Sequence, residues 1–233
     1  MTTNNAWNSP NLNANGKIII GSTGVRPVAA NITGDFFTTI TNGSGSITVD
    51  SAPYLGSFRK ISSATASGSA SIVFTGLTSN YFLYIVAILN VAPANDGVTL
   101  IMRTSSNGGS SYASAASDYA YSNLRCRGGS LFDSHDEANT SIELFGPSGT
   151  TDELGNSTNE KLSAYLYIYN PTASKYTFIT SEGLYLDEGA DSIHMISGGI
   201  RVSAQTINAI QFLMDAGNIS SGTFILYGVR NSA

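Results

Sequence analysis

A chain of 233 residues, 42% of them hydrophobic, is long enough to bury a sizeable core, yet only 12% are charged, about half the usual share. The net charge of −5 comes without any run of Lys or Arg, which argues against a nucleic-acid partner because neutralising phosphates takes clustered cations. The single cysteine, Cys126, excludes an intramolecular disulfide and a cysteine-based zinc site.

Residues 1–16, "MTTNNAWNSPNLNANG", are Asn-rich, and Trp7 and Leu12 stand out as the residues able to anchor them. Such a stretch cannot build a core and reads as an extended arm. It has neither the basic nor the apolar region of a secretory signal, so export by the ordinary route is not expected. Residues 17–57 alternate like β-structure between Gly and Asn punctuation. Their short apolar runs, "KIII" with Ile18, Ile19 and Ile20, and "SITV", are too slight to fold alone. Wrapping several copies around an axis would bury one face and remove the exposed edges, so a β-neck that joins copies is predicted. Phe36 and Phe37 are candidates to plug that neck or to contact the head beyond it.

From residue 58 onward the pattern predicts an antiparallel β-sandwich of roughly nine strands. The segments are "SASIVFTGL", "YFLYIVAILNV", "VTLIMRTS", "TSIELFG", "KLSAYLYIYNP", "KYTFITSEGLYL", "IHMISGGIRVS", "INAIQFLM" and "GTFILYGVR". Each is rich in β-branched and aromatic residues and bounded by Gly, Pro, Asn or Asp. The longest apolar run, 81–91, is about half the length a membrane helix needs, so membrane insertion is not expected. The stretch "YASAASDYAYSNLR" reads as a helical turn or an irregular excursion. Tyr112, Tyr119 and Tyr121 within it are candidates to stack on a sugar, the alternative being packing on the end of the sandwich.

Candidate chemistry is sparse. "SSNGGSSY" resembles one degraded Asp-box of the sialidases, with Asn107, Ser111 and Tyr112 at the positions of Asp, Thr and Trp, and reads as a turn. "FDSHDEANT" gathers Asp133, His135, Asp136 and Glu137, and "LDEGAD" gathers Asp187, Glu188 and Asp191. A calcium or zinc site is the alternative at the first, whose spacing matches neither an EF-hand nor a zinc motif, and both read as polar loops. No catalytic residue, metal or cofactor is assigned, and an enzyme is not expected.

Two longer stretches carry a family likeness. "NGKIIIGSTGVRPVAANIT" followed by "TITNGSGSITV" resembles a segment of tailed-bacteriophage fibre and spike proteins, departing from it at "GDFFTTI", where small residues are usual. "YFLYIVAILNVAPANDGVTLIMRTSSNGGSSYASAASDYAY" and the closing "GTFILYGVR" resemble a head domain of phage structural proteins. The resemblance implies an all-β chain. An extended arm (1–16) and an intertwined, trimeric β-neck (17–57) lead into a jelly-roll-like β-sandwich knob (58–233). It implies a virion-surface structural protein made in the host cytoplasm. The favoured role is a homotrimeric capsid decoration, or cement, protein bound to the major capsid protein. The alternative is a short tail fibre or receptor-binding adhesin that joins tail proteins and recognises a host surface glycan.

Overall fold

The computed structural model describes residues 17–22, 25–31, 38–43, 46–51 and 58–230, the first four segments by their backbone pairing alone. The chain divides into two compact units, Met1–Leu55 and Gly56–Ala233. In the first unit β1 (Lys17–Ser22) pairs antiparallel with β2 (Val25–Asn31), setting Ile18, Ile19 and Ile20 opposite Ala30, Ala29 and Val28. β3 (Thr38–Gly43) pairs with β4 (Ser46–Ser51), Ile40 opposite Val49. These are two separate two-stranded sheets, and a two-stranded hairpin is marginal in water by itself. Trp7, Leu12, Phe36 and Phe37 lie outside the described residues.

The second unit is all β among its described residues and holds twelve strands, three more than the sequence pattern predicts. They are β5 (Phe58–Ser69), β6 (Ile72–Thr75), β7 (Tyr81–Pro93), β8 (Leu100–Ser105), β9 (Tyr119–Arg127) and β10 (Ser130–Asn139), then β11 (Ile142–Phe145), β12 (Leu162–Tyr169), β13 (Thr177–Leu186), β14 (Ser192–Arg201), β15 (Ala209–Met214) and β16 (Ile219–Arg230). An eight-stranded antiparallel sheet runs β10-β9-β14-β13-β12-β7-β16-β5, and a four-stranded one runs β11-β8-β15-β6. The additional strands are β5, β9 and β10. β5 and β10 are the two edges of the large sheet.

The two sheets share one core. The Phe212 ring of β15 lies 5.3 Å from that of Phe224 on β16, and Phe145 of β11 meets Tyr185 of β13 edge-on at 6.3 Å. Strand alternation drives this. On β13, Thr177, Ile179, Ser181, Gly183 and Tyr185 are buried while Phe178, Thr180, Glu182 and Leu184 are exposed. Gly183 is an inward position where a methyl group would come within 2.8 Å of the Phe145 ring, so the missing side chain is what lets that ring lie across the strand. Near the end of β7 the register slips opposite both β12 and β16, with Asn90 at φ 51°. Gly222 of β16, at φ 120°, accommodates this bulge, its α-carbon lying so close that an added Cβ would stand 2.6 Å from Val91 Cα. Among the described residues no helix is long and apolar enough to cross a membrane.

Candidate functional site

The turn after β8 is built by its own side chains. Ser105 Oγ accepts hydrogen bonds from the backbone N–H of Asn107 (3.2 Å) and Gly109 (3.0 Å) and donates to Asn107 Oδ1 at 2.8 Å. Asn107 in turn accepts from the Ser111 N–H at 3.0 Å and donates to Ser111 Oγ at 2.8 Å. Gly108 and Gly109 take positive φ, as the tight reversal demands. The side chains of Ser105 and Asn107 are therefore engaged in holding the turn.

That turn positions Tyr112. A Cβ on Gly109 would sit 2.9 Å from the Tyr112 hydroxyl, so the glycine leaves room for it. Tyr112 and Arg201 border a small polar cavity of about 140 Å3, with Thr104, Ser106, Ser111 and Gln205 among its other walls. Burial raises the Tyr112 phenol above its ordinary pKa, so it remains a neutral donor. Arg201 is 7% exposed and fixed: its Nη1 donates to the Asp118 carbonyl and to Asp118 Oδ1, each at 2.7 Å, and its guanidinium carbon lies 5.3 Å from the centre of the Tyr119 ring. Its Nε has no hydrogen-bond partner. A held cation bordered by hydroxyls and one amide suits a small polar ligand, such as a sugar hydroxyl or carboxylate.

Tyr119 and Tyr121 follow the packing alternative, though from a strand and not from a loop. Residues 119–127 are strand β9, and both rings face inward, at 0% and 8% exposure, leaving no free face for a sugar. The Tyr119 hydroxyl accepts from the Thr104 N–H at 2.8 Å and donates to the Ala113 carbonyl at 3.1 Å, tying β9 to β8 and to the loop after β8. Burial, then the neighbouring Glu143, raises the Tyr121 phenol far above its usual range.

The two acidic segments also resolve. Asp133, His135, Asp136 and Glu137 lie on edge strand β10, where Asp136 accepts from the Ala138 N–H (2.9 Å) and Asn139 Nδ2 (2.8 Å). Those bonds hold its carboxyl below the usual range. Asp187 is buried and accepts from the N–H groups of Gly189 (3.0 Å) and Asp191 (2.7 Å). Among the described residues no group of three or more His, Cys, Asp and Glu is arranged to hold a metal.

A buried ionic network went unread in the sequence. Arg125 Nε donates to Asp152 Oδ2. Arg127 Nη1 lies 2.5 Å from Asp152 Oδ1 and 3.7 Å from Asp187 Oδ2, as ion-pair contacts rather than aligned hydrogen bonds. Phe132 of β10 stands 5.6 Å from both guanidinium carbons. Arg125 and Arg201 share one sequence signal, a cation at the inward position of an alternating strand. No protein-family model, curated protein or solved structure matches the chain.

Proposed function

We propose that this chain is a structural protein of a virion surface, of the tailed-bacteriophage kind its sequence resembles. Residues 1–16 anchor it, residues 17–57 join three copies, and the sandwich projects as a knob. The favoured role is capsid decoration, in which the trimer clamps neighbouring shell subunits and stabilises the assembled shell by binding only that state. The action is mechanical, with no catalytic step and no cofactor.

One observation carries the reading. Strands β5, β16, β7 and β12 are consecutive neighbours in the large sheet, and β6, β15, β8 and β11 make up the small one. In chain order these eight alternate between sheets, β5 to β6 to β7 to β8, then β11 to β12, then β15 to β16. That alternation supports reading these eight as a jelly roll, with hairpins β9–β10 and β13–β14 added on one side. Jelly rolls recur in viral capsid and lectin domains. A shared fold supports a role without assigning it.

Location and copy number on purified particles test the proposal. Antibody label over the whole head, at an abundance near that of the major capsid protein, is the expected result. Absence from particles overturns it. The cavity beside Tyr112 and Arg201 favours a second reading, a tail fibre or adhesin that takes a host surface glycan. Label confined to the tail at low copy, with glycan binding lost in Tyr112→Ala, is the outcome that selects it.

A further inference from the structure

The outer face of the eight-stranded sheet is apolar where a solvated face should be polar. Tyr165 and Tyr169 on β12, Phe178 and Leu184 on β13, Ile196 on β14 and Leu124 on β9 are each between 41% and 56% exposed. By register they form two rows joined through Tyr167 and Thr180: Tyr169 pairs with Phe178 in one, and Tyr165, Ile196 and Leu124 align through Glu182 in the other, with Leu184 next along β13. Leu89 on β7, Leu131 on β10 and Phe58 on β5 carry the patch from one edge of the sheet to the other. At ~200 Å2 for a whole aromatic side chain and ~120 Å2 for a whole Leu or Ile, these nine present roughly 700 Å2 of apolar surface. The largest patch on an ordinary monomer is about 300–600 Å2. A standard interface takes about 800 Å2 from each partner, little more than half of it apolar.

We infer that this face packs against the same face of further copies of this chain. Size is the first reason, since the patch already supplies the apolar share of a stable interface. Charge is the second. In the middle of the patch the ionisable side chains Glu182 and His194 lie on adjacent strands and hydrogen-bond each other at 3.1 Å, while Asp133 and His135 stand at the β10 edge and Lys60 at the β5 edge. With its other charges confined to the two edges, the middle of the face meets its own copy with little repulsion and offers a charged partner little to recognise. Shape is the third. Ser163, a small residue between larger ones, leaves a hollow of about 240 Å3 bordered by Leu89, Tyr165 and Leu184. Leu131 stands 69% exposed at the β10 edge, several strands away in the same sheet. One copy therefore carries both a projecting side chain and a recess at separate places on the face, as head-to-tail contacts around a closed ring require.

The inference deepens the self-assembly in the proposed function by naming the surface, and it is independent of where on a particle the protein sits. The full chain is tested, with a double variant Leu124→Glu and Ile196→Glu on two residues that face each other in register. Both side chains are half-exposed, so the lone fold should tolerate the change, and a thermal melt checks that it does. Ser163→Trp, which fills the hollow, is the second variant. Cys126 is the reporter, because it lies on this face between His194 and Leu131 and is the chain's one thiol. Light scattering should give the wild type a mass that is a multiple of 24.4 kDa, with Cys126 labelled by an aromatic disulfide reagent at least about tenfold more slowly than in either variant. The variants should lose mass. A monomeric wild type overturns the inference together with the trimer. A multimer whose mass and Cys126 reactivity both variants leave unchanged overturns the inference alone and leaves assembly to another part of the chain.

Discussion

Removing Asp152 should destabilise the sandwich far more than removing a surface carboxylate. The Asp152 side chain is 3% exposed and that of Arg125 6%, so the pair sits out of water. In Asp152→Ala the Arg125 guanidinium keeps only Ser134 Oγ, at 3.5 Å, as a hydrogen-bond partner. An uncompensated buried charge costs about 3–5 kcal/mol. For a unit of this size, each kcal/mol lowers Tm by about 2–4 °C, so a fall of roughly 6–20 °C is expected by calorimetry. Arg127, whose side chain is 28% exposed, can turn to water or to Asp187, and should add little to the loss. The companion variant Arg125→Met with Asp152→Leu removes both charges and should recover most of the stability, since apolar replacement of a buried pair is commonly neutral or better. A single-variant loss below ~1 kcal/mol, the range of an exposed pair, would refute the reasoning. So would a double variant less stable than Asp152→Ala.

Burial, more than its other neighbours, raises the Glu143 carboxyl above its usual pKa. The folded state therefore binds this proton more tightly than the unfolded chain, and stability falls as pH rises from the unfolded pKa through the folded one. Glu143→Gln should melt higher than the wild type at neutral pH, with the advantage vanishing below the ordinary glutamate range; melts at pH 7 and pH 3.5 decide it (about one unit below the unperturbed value). Gly222→Ala should cost about 1–3 kcal/mol in urea unfolding, because the backbone at φ 120° disfavours a side chain and the new Cβ meets Val91. Deleting residues 1–16 should leave a soluble, folded knob that no longer attaches to particles, and retained binding to stripped particles would remove the arm from the anchoring role.

The strands legible in the sequence are those whose inward positions are hydrocarbon. β12 buries Leu162, Ala164, Leu166 and Ile168 in strict alternation, and its period is plain in "LSAYLYIY". β9 has the same period with the sign obscured. Its inward residues are Tyr119, Tyr121, Asn123 and Arg125, while Leu124 points out, so it reads as an irregular stretch. β10 is an edge strand whose Asp, His and Glu discourage further pairing, and charge of that density resembles a loop. β5, rich in Ser and Ala, gives almost no hydrophobic signal. The Asn107 turn was legible because its side chains bond within a few residues. The cavity beside Tyr112 was not, because Arg201 and Gln205 reach it from far along the chain.

The polar inward face of β9 has a physical reason that bears on assembly. The small sheet is four strands wide and the large one eight, so hydrocarbon from the small sheet cannot cover the whole inner face. Where β11 ends that cover, Asp152 and Arg125 take over, with Asp187 and Arg127 beside them. The network thus holds β9 and β10 onto the sandwich where apolar packing runs out. At ~4.8 Å between strands, a four-stranded sheet spans only about 14 Å, and the four added strands bring it to about 34 Å. Leu184, Ile196, Leu124 and Leu131 all ride on those additions. The added strands give the core Ile179, Tyr185, Ile193, Met195, Tyr119 and Tyr121, but their outer faces leave apolar side chains exposed on an isolated knob. A knob that meets its own copies through that sheet gains the area a stable interface needs.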